Sequence, residues 1–225
     1  MDWPPGVFEA TFLRRPNRYL SFCERDGEEL KCFCPDPGRL AEFVTPGRRV
    51  LLAPSSDPLR RTQFTQLAFH HGGEWVSIVT AAANKLAKEA WTHGLLPEIA
   101  PSAAWRAEVK HGASRIDYDV DGMLLEVKSV TLCVDGEARF PDAPTVRGAR
   151  HVRELAVHAR EGGRAMLLFV QQRECGRLVR PNEARDPDFA AALREAALAG
   201  VSMAAVACRV DEAGITPTRR LPVVL

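Results

Sequence analysis

The sequence is poor in lysine and carries almost no excess of charge of either sign. Only 5 of its 30 basic residues are lysines, and the formal net charge is +1 at pH 7. A near-neutral balance gives no general attraction to nucleic acid, so any contact with DNA has to come from local clusters of charge. The 25 arginines are better explained by a GC-rich genome than by selection for phosphate binding.

Long apolar runs, a signal segment and paired cysteine motifs are missing as well. No apolar run reaches the ~18 residues that a membrane span needs, and no basic-then-apolar segment begins the sequence. The six cysteines form no Cys-X-X-Cys motif, which favours reduced thiols over a disulfide framework or a zinc site. There is no Gly-rich phosphate loop. We therefore expect a cytoplasmic protein with no membrane contact and no nucleotide cofactor.

Length and pattern predict two domains, at residues 1–80 and 81–225. In the first, strands are predicted at residues 8–13, 19–25, 30–34, 49–53, 62–70 and 75–79. Short strands separated by turns such as Asp26-Gly27 favour a small barrel or sandwich. Residues 38–44 are predicted to form a short helix, with Asp36 as its N-cap and Pro37 at its first position.

The second region alternates helical and strand patterns. Helices are predicted at residues 81–94, from Val146 onward and at 186–198, and strands at residues 105–110, 114–120, 123–131, 165–172 and 201–210. Residues 133–145 are predicted to form a loop. Helices flanking a mixed sheet indicate an α/β domain, so the whole chain is predicted to be α+β or α/β.

Residues 114–131 form the most informative stretch of the sequence. Alternating apolar and charged residues flank Asp121-Gly122, which predicts a hairpin with a two-residue type I′ turn. Counting outward from the turn predicts three cross-strand pairs: Val120 with Met123, Tyr118 with Leu125, and Asp117 with Glu126. One face of the hairpin would then carry Asp117, Glu126 and Lys128, and the other Ile116, Tyr118, Leu125 and Val127.

Two carboxylates that face each other on a sheet repel and need a compensating positive charge. A divalent cation can supply it, and oxygen ligands of this kind suit Mg²⁺ or Mn²⁺. On the same face, Lys128 is placed to hold an attacking water or to neutralise charge on a phosphate. The alternative is a purely structural square of charges, in which Arg115 joins Lys128 in offsetting Asp117 and Glu126.

These residues resemble a known family. Asp117 followed by Glu126-Val127-Lys128 is similar to the Asp…(Asp/Glu)-X-Lys pattern of restriction-endonuclease-like nucleases. The surrounding blocks resemble the sugar fermentation stimulation protein family (SfsA) along nearly the whole chain: Ser114–Asp117, Glu126–Leu132, Phe140–Ala143 and Arg147–His151. The resemblance implies an N-terminal OB-type β-barrel, a restriction-endonuclease-like α/β domain with a mixed sheet, and DNA binding.

The resemblance also implies roles for individual residues. Asp117, Glu126 and Lys128 would be catalytic, with Asp117 and Glu126 as metal ligands. Glu89 occupies the helix position from which nucleases of this kind often supply a further acid, although an exposed surface glutamate is the alternative. Asp36 stands where the family usually has Asn in an Asn-Pro-Gly-Arg motif.

Two clusters of basic residues are candidates for DNA contact. In the first domain, arginines lie among aromatic side chains, as on surfaces that bind single strands; in the second, they follow the predicted loop. The predicted contacts are Arg14, Arg15, Arg18, Arg39, Arg115, Arg147, Arg150 and His151. The alternative is a solvated surface with local salt bridges.

Three hypotheses about function stay open at this point. The first is a nuclease that depends on Mg²⁺ or Mn²⁺ and cuts duplex or single-stranded DNA. The second is a DNA-binding regulatory protein with a vestigial nuclease fold. The third is a regulatory protein whose barrel recruits a protein partner and in which neither domain binds nucleic acid. A homodimer is the oligomer to be tested.

Overall fold

The structure is a computed structural model that describes residues 1–57, 59–112 and 114–225. Strands fill its N-terminal part: β1 (Phe8–Asn17), β2 (Leu20–Arg25), β3 (Glu28–Phe33), β4 (Arg49–Pro54), β5 (Phe64–His71) and β6 (Glu74–Ser77). The sheet order is β3-β2-β1-β4-β5-β6, and an additional parallel pairing of β3 with β5 closes it. The predicted N-terminal barrel is therefore confirmed.

Turn chemistry and alternating burial explain why this region closes. Asp26 and Gly27 join β2 to β3 with φ values of 54° and 83°, as a type I′ turn requires. Alternate residues of the strands point into a separate hydrophobic core, which includes Phe12, Cys23 and Phe69. The barrel therefore has its own interior.

The predicted helix at residues 38–44 is wrong. Leu40 has a φ of 51°, which a right-handed helix cannot contain. The chain makes a single turn instead, in which Val44 N–H donates to the Leu40 carbonyl. Asp36 caps no helix, and its side chain accepts a hydrogen bond from Gly38 N–H at 2.7 Å, a local turn that aspartate favours.

The second region begins with a helix and continues through a large sheet. Its elements are α1 (Ala82–Thr92), β7 (Trp105–His111), β8 (Ser114–Val120), β9 (Met123–Val130), β10 (Cys133–Val134), β11 (Glu137–Phe140), α2 (Val146–Arg160), β12 (Arg164–Gln171), β13 (Leu178–Pro181), α3 (Pro187–Leu198), β14 (Ser202–Val210) and β15 (Ile215–Leu221). The large sheet has the order β15-β14-β12-β9-β8-β7. Because β9, β12 and β14 run parallel while the outer strands are antiparallel, the predicted mixed sheet is confirmed.

Some strands were not predicted. The loop expected at residues 133–145 contains β10 and β11, which join β13 in a small separate sheet. β10 and β11 are too short to show a period-2 pattern, although Asp135-Gly136 between them is a turn signal of the same kind as Asp121-Gly122. β13 and β15 were also missed.

The two faces of the large sheet carry two different cores. α2 and α3 cover one face with a cluster that includes Leu155, Phe169 and Phe189. On the other face, α1 packs together with residues from the barrel, so that Leu51 and Leu86 belong to one continuous cluster. The barrel is therefore packed firmly against the second domain. Among the residues described, no helix is long and apolar enough to cross a membrane.

Candidate active site

The hairpin at the centre of the site has the predicted turn and register near its tip. Asp121 and Gly122 have φ values of 47° and 77°, and Val120 pairs with Met123 and Tyr118 with Leu125. These positive φ values are those of a type I′ turn. The prediction of the turn and of these two pairs is confirmed.

The regular pattern breaks at Asp117. The β8–β9 pairing ends at Tyr118, and instead of facing Glu126 as a regular partner, Asp117 accepts a hydrogen bond from Val127 N–H through Oδ2 at 2.8 Å. Ile116 belongs to the core under α2, whereas Tyr118 belongs to the core under α1. The prediction that Ile116 and Tyr118 share a face is therefore wrong, because the strand changes face between them.

Asp117, Glu126 and Lys128 nevertheless come together. Lys128 Nζ lies 2.5 Å from Glu126 Oε1, and Glu126 is close enough to raise the pKa of Asp117, although burial is the larger cause of that rise. α1 contributes Asn84, whose side-chain amide donates to Asp117 Oδ1 at 2.9 Å. The structure thus brings two carboxylates and an ammonium group to one patch.

His151 from α2 completes the surroundings of Glu126. Its Nδ1 lies 2.6 Å from Glu126 Oε1, and Arg147 Nε donates to its Nε2 at 3.4 Å. Because a guanidinium only donates, the contact with Arg147 fits a ring whose Nε2 accepts and whose Nδ1 faces Glu126 as the donor. The ring is 2% exposed, which corrects its predicted phosphate contact: His151 orients Glu126 instead.

One oxygen of Glu126 is left without a partner. Its Oε1 contacts both Lys128 and His151, but Oε2 is buried and has no hydrogen bond within the described part of the chain. An unsatisfied buried carboxylate oxygen is costly, and a hard cation is a natural partner for it. The donors on hand fit Mg²⁺ or Mn²⁺, which take a few carboxylate oxygens and keep several waters. Groups of three or more His, Cys, Asp or Glu suited to a metal do not occur among residues 1–57, 59–112 and 114–225.

Glu89 does not join this patch. Its carboxylate pairs with the Met1 ammonium at 3.0 Å, and it lies five residues after Asn84, roughly 140° further around the helix. This placement corrects the prediction of Glu89 as a metal ligand. The polar residue that α1 brings to the site is Asn84. In the sequence, its position beside the buried stripe that includes Ala83 and Ala87 is the signal that could have indicated it.

The predicted DNA contacts in the barrel divide into two kinds. Arg14 pairs with Glu29 at the surface, and the buried end of Arg15 donates to backbone carbonyls, including those of Arg18 and Asp36. Arg15 therefore holds the loop that contains Asp36 in place, and it is also half-buried beside Arg18 and Arg39, so its DNA contact stays a prediction. Arg18 and Arg39 are exposed.

In the second domain, Arg115 and Arg147 are exposed, and Arg150 lies 3.9 Å from Glu154 on α2. Arg147 reaches the site through its contact with His151. His151 in turn contacts Glu126, so Arg147 is linked to the patch of Asp117, Glu126 and Lys128 through His151.

A cleft of about 420 Å³ lies between the two domains. Arg18, Gly38, Thr80, Lys128, Ser129 and Asp142 are among the residues that line it. A second cleft of about 440 Å³ shares Arg18 and Gly38 and is also lined by Arg39. We call the two together the interdomain cleft. Through it, the exposed arginines of the barrel and Lys128 open onto a common space.

Asp36 beside this cleft predicts a pH dependence of stability. Its pKa is raised from 3.8 to about 6, chiefly by burial and also by the nearby Asp142 carboxylate. Folding therefore favours the protonated form, and stability falls as the pH rises from about 4 to about 6. Asp36→Asn keeps an acceptor for Gly38 N–H and removes the charge, so we expect it to stabilise the protein at pH 7 by up to about 3 kcal/mol.

Urea unfolding at pH 5 and pH 7 measures this effect. The wild-type protein should lose stability between the two pH values, and most of that loss should be absent from Asp36→Asn. Equal free energies of unfolding for the two proteins at pH 7 would show that the Asp36 carboxylate carries no such penalty.

Comparison with known proteins agrees with the fold. The family model described as the SfsA N-terminal OB domain matches residues 13–78, and the one described as the sugar fermentation stimulation protein RE domain matches residues 81–214. The barrel is thus an OB domain, as predicted.

Curated relatives and a solved structure cover almost the whole chain. Sugar fermentation stimulation protein homologs from Chloroflexus aurantiacus and Moorella thermoacetica are each 42% identical, over 96% and 94% of this chain and 85% and 94% of their own lengths. The structure of Pyrococcus furiosus SfsA in complex with Ca²⁺ superposes with a TM-score of 0.91 at 31% identity, covering 100% of this chain and 98% of that one. The chain belongs to the sugar fermentation stimulation protein family.

Proposed function

We propose that this protein binds DNA and hydrolyses its phosphodiester bonds with the help of a divalent cation. The observation that carries the proposal is the patch of Asp117, Glu126 and Lys128, in which Glu126 Oε1 contacts Lys128 and Glu126 Oε2 is buried without a hydrogen bond. Two acids and an ammonium group at one patch are the groups that a metal-assisted attack on a phosphate uses.

A cation at this patch is supported by two independent points. The raised pKa of Asp117, caused first by burial and then by Glu126, marks a site where negative charge lacks sufficient compensation. The Pyrococcus furiosus relative was solved in complex with Ca²⁺, a cation that also prefers oxygen ligands. When bound, Mg²⁺ or Mn²⁺ would polarise the phosphate and make an attacking water more acidic.

The residues of the chain would then have distinct tasks. Asp117 and Glu126 would hold the cation, with Asn84 fixing the orientation of Asp117 and His151 that of Glu126. Lys128 lines the interdomain cleft, where its ammonium can donate to a phosphate oxygen and stabilise the charge that develops on it. The hydrogen bonds from Asn84 and His151 would keep the two ligand carboxylates in position.

The metal-dependent reaction is tested by incubating plasmid and single-stranded DNA with the purified protein and Mn²⁺ or Mg²⁺. Cleavage by the wild-type protein is expected, together with its loss in Asp117→Asn. The matched control is Asp119→Asn on the same strand, because Asp119 pairs with the exposed Arg106 outside the patch. Equal activity of the wild-type protein and Asp117→Asn would remove the assignment.

The interdomain cleft predicts which arginines bind DNA. The double variant Arg18→Ala, Arg39→Ala removes two exposed cations that line the cleft, so it should weaken DNA binding and lower the slope of log K against log salt by about 1 per lost phosphate contact. Arg14→Ala is the control, since Glu29 already neutralises Arg14. Fluorescence anisotropy at several salt concentrations measures both quantities. A stronger effect of Arg14→Ala would place the DNA elsewhere.

A DNA-binding regulatory protein without cleavage is the second candidate. It is favoured by the contacts that Glu126 Oε1 already makes with Lys128 and His151, which offset its charge without a cation. If this candidate is right, the affinity for DNA should not depend on divalent metal and should be the same in the wild-type protein and in Asp117→Asn. Dependence of binding or cleavage on metal favours the nuclease.

A further inference from the structure

Two cysteines next to the interdomain contact face each other at close range. Cys175 Sγ donates a hydrogen bond to Cys133 Sγ at 2.8 Å, and both side chains reach the surface at least in part. The two sulfurs need to approach by only about 0.8 Å to reach the ~2.05 Å of a disulfide bond. Cys23, Cys32, Cys34 and Cys208 are fully buried.

The loop that carries Cys175 is held in place by several contacts. Glu74 of the barrel accepts hydrogen bonds from the backbone N–H groups of Glu174 and Cys175, and Arg219 donates to the carbonyls of Glu174 and Gly176. Cys133 begins β10, shortly after the strand that carries Lys128. Because Cys133 is paired with Ala138 of β11, the two sulfurs meet between a paired strand and a loop that has contacts of its own.

The charges around the pair distinguish its two members. The hydrogen bond from Cys175 and the positive charge of Arg173 lower the pKa of the Cys133 thiol to about 7, against the opposing effects of burial and of the Glu74 carboxylate. The pKa of Cys175 is raised, first because its proton is shared with Cys133. Since the thiolate is the nucleophile, Cys133 is the member that reacts first.

We propose that Cys133 and Cys175 form a reversible, peroxide-sensitive disulfide that ties β10 to the loop after β12. The Cys133 thiolate attacks one oxygen of hydrogen peroxide, the O–O bond breaks, and the departing hydroxide takes up a proton to become water. The sulfur of Cys175 then loses its proton and attacks the sulfur of the Cys133 sulfenic acid, releasing a second water. Two thiols are oxidised by two electrons and the peroxide is reduced to two waters.

The test treats the folded protein with hydrogen peroxide, blocks the remaining thiols and maps the products by mass spectrometry. We expect the loss of two hydrogen atoms, a Cys133–Cys175 linked peptide, and reversal by dithiothreitol. Alkylation of Cys133 should reach half its maximal rate near pH 7, lower than the pKa of ~8.5 of a free cysteine. The buried Cys23 and Cys32 should stay unmodified, which reports that the protein is folded.

Two variants assign the order of events. Cys175→Ser should form no intramolecular disulfide and should accumulate a sulfenic acid at position 133, which dimedone traps. Cys133→Ser should give no dimedone adduct at position 175, because the pKa of Cys175 is raised. The proposal is overturned by a disulfide to any other cysteine, by trapping at Cys175 alone, or by a folded protein that keeps both thiols under oxidant.

Discussion

Replacing Lys128 with alanine is expected to slow DNA cleavage by roughly 10²- to 10³-fold while divalent-metal binding is kept. The ammonium of Lys128 contacts Glu126 Oε1 and lines the interdomain cleft, so its loss removes stabilisation of the reacting phosphate. The two carboxylates stay in place. Without the neighbouring ammonium, their affinity for a cation should be unchanged or higher, because a competing positive charge is gone.

Single-turnover cleavage and calorimetric titration with Mn²⁺ separate these two effects. Asp117→Asn should lose both cleavage and Mn²⁺ affinity, whereas Lys128→Ala should lose cleavage alone. Lys110→Ala is the control, because Lys110 is an exposed lysine on the edge strand β7. Full activity in Lys128→Ala, or an equal loss in Lys110→Ala, contradicts the role given to Lys128.

Replacing Arg173 with methionine is expected to cost about 3 kcal/mol of stability, at the low end for breaking a buried ion pair. The Arg173 side chain is 4% exposed and pairs with Glu74 of the barrel at 2.7 Å. Its removal leaves the Glu74 carboxylate partly buried without its cation. Since this pair ties the barrel to the second domain, the loss should affect the whole molecule.

Urea unfolding measures this cost, with Arg153→Met as the matched control. Arg153 pairs with Asp188, but both side chains are well exposed, so its loss should stay within about 1 kcal/mol. Burial acts to raise the pKa of Glu74, yet contacts with Cys175 and Arg173 outweigh it and the net shift is downward. The stability that this pair adds is therefore lost as the pH falls through the lowered pKa, and Arg173→Met should show less of that loss, because the contact of Glu74 with Cys175 remains. Equal costs for the two variants would contradict the account.

Local signals explain which features the sequence predicted well. The hairpin followed from Asp121-Gly122 and from alternating residues, both of which act over a few positions. The barrel followed from turn residues in the same way. The prediction of a helix at residues 38–44 failed because Leu40 has a left-handed conformation. Leucine adopts this conformation only in a particular tertiary setting, so the local sequence does not predict it.

The site was predicted in part for a related reason. Asp117, Glu126 and Lys128 lie on adjacent strands, so counting from the turn places them near one another. Asn84 and His151 come from helices on opposite faces of the sheet, and their approach depends on how those helices pack. The change of face at Asp117 is also a tertiary effect, which period-2 counting cannot detect.

Whether Asp117 and Glu126 hold a divalent cation is tested with a crystal of this protein soaked in Mn²⁺ and measured at a wavelength where manganese scatters anomalously. We expect an anomalous peak that contacts both Asp117 and Glu126 Oε2, and that is absent from crystals of Asp117→Asn. A peak at another place, or Mn²⁺-soaked crystals with no peak between these two carboxylates, would contradict it.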